Sequence, residues 1–140
     1  MEFCAELKML SISKLFNPKP PKTTTKQLGD AAENMALQHL QRHGLRLMER
    51  NYRTPGRGGG EIDLILKDTS GTTVFVEVRR RNSMGHGGAA ASVSSIKQRR
   101  IVFAARHYLM RLATLPPCRF DVVTVQGEKI EWLQAAFDAS

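Results

Sequence analysis

The chain has 140 residues, 41% of them apolar, enough for one packed core and too few for two. Lys and Arg number 21 against 13 Asp and Glu, a formal charge of +8 with an isoelectric point of about 10.0, which favours a polyanionic partner. Cys4 and Cys118 stand apart from each other and from any Cys/His cluster, excluding a disulfide framework or structural zinc site, and no apolar run approaches the ~18 residues of a membrane span; a cytoplasmic, non-membrane protein is expected.

Residues 1–23 carry Lys8, Lys14, Lys19 and Lys22 with Pro18, Pro20 and Pro21, a composition that breaks regular structure, so they are read as a disordered basic tail and residues 24–140 as a single domain. Thr24 and Gln27 form a capping-box pattern, and Leu28, Ala31, Ala32, Met35, Ala36 and Leu40 recur at helical spacing until Gly44. Residues 45–53 read as a short strand, followed by a loop rich in glycine (Gly56, Gly58, Gly59, Gly60). Two alternating segments, residues 61–67 and 73–80, predict strands joined by a turn over residues 68–72.

A second glycine loop, residues 85–88, leads to a predicted helix over 94–112 with the stripe Ile101, Ala104, Ala105, Tyr108 and Leu112, ended by Pro116 and Pro117. Residues 120–125 are an apolar, β-branched run typical of a buried strand, and residues 130–133 suggest an added edge strand. The order is α-β-β-β-α-β, an α/β fold without internal repeat.

A charge on the inward face of an apolar strand is costly unless paired or used to hold a metal, which singles out Asp63, Glu77 and Arg79. If Thr69, Ser70 and Gly71 form a three-residue hairpin loop with Gly71 left-handed, Asp63 falls opposite Glu77. Facing like charges require a compensating cation, and hard oxygen ligands suit Mg2+ or Mn2+; the alternative is a carboxylate pair neutralised by Arg79 or Arg81. Glu33, at the flank of the first helix's apolar stripe, is a candidate third acid or else an ordinary edge glutamate. Lys97, Arg99 and Arg100 occupy the opening turns of the second helix, where the macrodipole prefers anions; they read as phosphate ligands or as a solvated face, with Arg57, Arg81 and the glycine loop adding contacts.

The stretches Gly60-Glu61-Ile62-Asp63-Leu64-Ile65 and Val74-Phe75-Val76-Glu77-Val78-Arg79-Arg80-Arg81 resemble the bacterial YraN-like family of uncharacterised proteins within the PD-(D/E)XK nuclease superfamily. The likeness runs from about Thr25 to Val125, through Glu33, Asn51-Tyr52-Arg53, Lys97 and Cys118-Arg119-Phe120-Asp121. It implies a restriction endonuclease-like core with a mixed central sheet flanked by helices, as in Holliday-junction resolvases. It also implies Asp63 and Glu77 as metal ligands, Glu33 and more weakly Glu61 as further acids, and a basic catalytic residue at position 79. That position usually holds Lys, and Arg79 cannot serve as a general base.

His39 and His43 have metal-ligand spacing but lack the glutamate of a zinc protease motif, and neither glycine loop continues as a P-loop, so these are set aside. Trp132 is read as core packing. The expected activity is Mg2+- or Mn2+-dependent endonuclease cleavage of DNA, with branched or structured DNA as a candidate substrate and a homodimer suited to symmetric junctions. The competing expectations are a non-catalytic DNA- or RNA-binding protein on the same fold and a protein-interaction adaptor.

Overall fold

The computed structural model describes residues 18–82 and 93–139. The elements, in chain order, are α1 (Thr25–Arg42), β1 (Arg46–Arg53), β2 (Glu61–Lys67), β3 (Thr73–Arg80), α2 (Ser95–Leu109), β4 (Cys118–Gln126) and β5 (Lys129–Phe137). Residues 1–17 of the expected tail and the second glycine loop lie outside the described residues.

Thr24 caps α1 through a capping box, its hydroxyl accepting from Gln27 N while the Gln27 side chain accepts from Thr24 N. Gly44, at φ +89°, turns the chain out of the helix in a conformation that only glycine adopts freely. Ser94 caps α2 by accepting from Lys97 N. That helix ends at Leu109, short of the expected residue 112: Arg111 N and Leu112 N bond three residues back, to Tyr108 O and Leu109 O, tightening the backbone out of the α-helical ladder. Leu112 therefore lies off the buried stripe, 39% exposed.

The strands form one five-stranded mixed sheet in the order β1-β2-β3-β4-β5. Neighbouring strands are antiparallel except β3 and β4, which run parallel because α2 lies in the connection between them. The β2–β3 hairpin has the expected register: Leu64 pairs with Val76, Ile65 with Phe75, Leu66 with Val74 and Lys67 with Thr73. Gly71 sits at φ +91°, and Asp68 holds the turn by accepting from Ser70 N and Thr72 N. The edge strand β5 is longer than residues 130–133, running to Phe137.

Each sheet face carries its own core. Leu64, Leu66, Val74, Val76 and Val123 meet Ala32, Ala36 and Leu40 of α1, while Ile65, Phe75, Phe120 and Val122 meet Ile101, Ala104, Ala105 and Tyr108 of α2. Most of these side chains are fully buried, each worth about 1.5–3 kcal/mol for the larger ones. This sandwich of helix, mixed sheet and helix is compatible with the α-β-β-β-α-β core. No helix among the described residues is long and apolar enough to cross a membrane.

Candidate active site

The ladder between β2 and β3 stops at Leu64 and Val76, whereas β2 continues beside β1 to Glu61 and β3 continues beside β4 to Arg80. The sheet therefore forks. Asp63 stands on one prong and Glu77 on the other, and Asp63 Oδ2 accepts from Val78 N at 2.8 Å, replacing a ladder bond with a carboxylate bond across the opening.

Glu77 is 4% exposed. Its Oε1 is 3.6 Å from Lys97 Nζ of α2 and 3.9 Å from Arg79 Nη1, while its Oε2 is buried with no hydrogen-bond partner. Burial pushes the Glu77 carboxyl up to about 8, with the charge of Asp63 reinforcing the shift against the pull of Lys97 and Arg79. Burial raises Asp63 as well, opposed by the bond from Val78 N.

Glu33 approaches from α1. Its Oε2 lies 3.7 Å from Arg50 Nη2 without a hydrogen bond, because that guanidinium donates to Asn34 Oδ1 at 2.9 Å. Burial, then the charge of Asp63, raises the Glu33 carboxyl. Glu61 is paired on the surface with Arg53 at 3.3 Å.

The cations divide. Lys97 and Arg100 line two adjoining cavities, one of about 330 Å³ with Arg53, Gly58, Gly59 and Gly60, the other of about 290 Å³ with Arg79, Ser94 and Ile96. Arg100 Nη2 donates to Gly59 O at 3.4 Å, tying the glycine loop to α2. Arg57 is exposed on that loop. Arg99 turns away, to a cleft of about 610 Å³ along α2, and Arg81 lines a cavity of about 320 Å³ beside Leu28 and Met35 of α1.

Among the described residues no three His, Cys, Asp or Glu side chains form a ready-made ion cage. Asp63, Glu77 and the orphaned Glu77 Oε2 nevertheless fit a hard divalent ion, since Mg2+ commonly takes one or two carboxylates and completes its shell with water and phosphate oxygens. His39 and His43 are not part of this site: His43 Nδ1 bonds His39 O at 2.7 Å, and both rings pack on Trp132.

One polar centre was missed by reading the sequence. Asp121 of β4 is wholly buried, accepting from Arg119 Nε at 3.1 Å, Trp132 Nε1 at 2.9 Å and Ala135 N at 2.9 Å. Arg119 extends the network to Asp68 in the β2–β3 turn at 3.1 Å. The signal was present, since Asp121 is a charge within the apolar run of residues 120–125 and meets the same cost argument as Asp63.

A mixed α/β domain whose sheet opens around the buried Glu77 and the half-buried Asp63 is what fold and geometry define. The model of the uncharacterised protein family UPF0102 matches residues 32–125, and the chain belongs to this family, the YraN-like proteins of bacteria. A UPF0102 protein of Albidiferax ferrireducens is 72% identical over 116 residues, covering 83% of this chain and 91% of that one. Another, from Paracidovorax citrulli, is 68% identical over 118 residues, with coverages of 84% and 87%. A solved chain described as "Crystal structure of SSO0001" superposes at a TM-score of 0.40 with 14% identity, over 96% of this chain and 60% of that chain's length.

Proposed function

We propose that the protein is a Mg2+- or Mn2+-dependent phosphodiesterase acting on nucleic acid, DNA before RNA, with structured or branched DNA as its substrate. The observation that carries this reading is the meeting of Asp63 and Glu77 at the sheet fork, with Lys97 and Arg79 converging on Glu77 Oε1. Asp63 and Glu77 would hold the ion, with Glu33 and Glu61 flanking. When bound, the ion supplies Lewis acidity at the phosphate and lowers the pKa of water.

The protein's own part is positional. Lys97 and Arg100 draw the backbone to the fork from the α2 side, where the glycine loop leaves room for phosphate oxygens. Arg79, 44% exposed on its side chain, is placed to stabilise developing negative charge without taking a proton.

A second reading is a nucleic-acid-binding protein that keeps the fold without turnover. It is favoured by Arg79 in the place of lysine and by Lys97 already offsetting the charge of Glu77. Cleavage assays on labelled single-stranded, duplex and four-way-junction DNA with Mg2+ or Mn2+, comparing wild type with a folded Asp63→Ala variant, separate the two. Metal-dependent cleavage lost in the variant supports the nuclease; binding that survives Asp63→Ala and Glu77→Ala, with no cleavage by either form, replaces it with the binding protein.

A further inference from the structure

The solvent face of α2 mixes apolar and cationic residues in a way that a solvated helix does not require. Ile96 is 65% exposed and Phe103 is 54% exposed, one above the other at a seven-residue interval, with Arg99 between them and Arg106 beyond. Phe103, Arg99 and Arg106 line the cleft of about 610 Å³, together with Gln98 and Val102 on one side and Asp138 on the other. Two guanidiniums against one carboxylate leave this cleft positive. Ile96, at the near end of the face, lines the neighbouring cavity that holds Lys97, Arg79 and Arg100.

Resting on the nucleic-acid reading above, we propose that this cleft is a binding site for unpaired nucleotides, with Phe103 as the base-stacking platform and Arg99 and Arg106 as phosphate ligands on either side of it. An aromatic ring flanked by cations is the chemistry that holds a single strand without reading its sequence, because every base offers a π-face. Ile96 and Phe103 are separated by about 10 Å along the helix axis, room for about three stacked nucleotides. Arg99 Nε donates to Ser95 O at 3.4 Å and Arg106 Nη2 to Ala139 O at 3.2 Å, which tethers both side chains at the cleft that Phe103 lines. A strand lying along α2 is held there without regard to its sequence, which favours ligands with unpaired nucleotides over continuous duplex.

The test is equilibrium binding of the full chain, in EDTA and at low salt, to a fluorescent single-stranded oligonucleotide and to a duplex of the same length. Phe103→Ala is expected to weaken single-strand binding about tenfold while leaving duplex affinity and the salt slope in place, and Phe103→Trp to restore it. Arg99→Ala and Arg106→Ala are each expected to flatten the salt dependence of single-strand binding by about one phosphate contact. Phe103 is half exposed, and equal melting temperatures confirm that the variants fold. Unchanged single-strand affinity in Phe103→Ala, or an equal loss on both ligands, overturns the cleft alone; failure of the wild type to bind either ligand overturns the nucleic-acid reading and the cleft with it.

Discussion

Glu77 is carried into the sheet because β3 alternates and its neighbours on that face, Phe75 among them, are core residues. Burial and the charge of Asp63 push the Glu77 carboxyl up to about 8 in the folded protein, from an ordinary value of 4.5. Between those values the folded state binds more protons than the unfolded state, so stability falls as pH rises. Glu77→Gln, which carries no titrating group, is expected to match wild type in melting temperature at pH 5 and to exceed it by about 5 °C at pH 9, both in EDTA. Parallel pH profiles for the two proteins would sink this account. The register that brings Asp63 and Glu77 to the same end of the hairpin was legible because strand alternation and a three-residue turn set it; the fork that ends the ladder at Leu64 and Val76, one pair short of them, was not. The contacts of Glu33 were not, because its distance to Arg50 depends on how α1 packs across β1 and β2, which no local pattern encodes. Asp121 was legible in principle, but its partners Trp132 and Ala135 come from β5 through an irregular pairing that spacing does not reveal.

The elements themselves followed from local chemistry where that chemistry was strong. Capping residues Thr24 and Ser94 set the starts of both helices, and Gly71 the hairpin. The ends were weaker: α2 stops at Leu109, and the length of β5 comes from long-range pairing with β4 rather than from its own mixed sequence. The glycine loop shows why a run of small residues is needed beside the site. A Cβ on Gly60 would stand 1.9 Å from Arg100 O, so loop and helix touch through backbone, and one on Gly59 would stand 2.2 Å from Thr54 Oγ1 within the loop itself. Gly60→Ala is expected to cost about 3 kcal/mol, read as a lower denaturant midpoint at unchanged slope. An unaltered midpoint would mean that the loop can leave the helix freely.

For the molecule as a whole, a charge of +8 says little until it is mapped, and the fold gathers part of it beside the carboxylate fork. Lys97 and Arg100 face that fork while Arg81 lines a cavity beside α1, a partition set by which side of the sheet each element packs on. The Lys97→Ala/Arg100→Ala double variant is therefore expected to reduce the slope of log affinity against log salt for duplex DNA by about 2, with Arg81→Ala changing it by less than about 1. Equal effects from both would show that binding follows total charge. The outer strands carry a further consequence. Both deviate from straight pairing, β1 between Leu47 and Glu49 with Asn51 at φ +50°, and β5 opposite Asp121 with Ala135 at φ +50°. Such bulges bend a strand and break its row of free amides, so neither border of the sheet is a template for recruiting another chain into a continuous ribbon. The protein is thereby guarded against fibrillar stacking at high concentration.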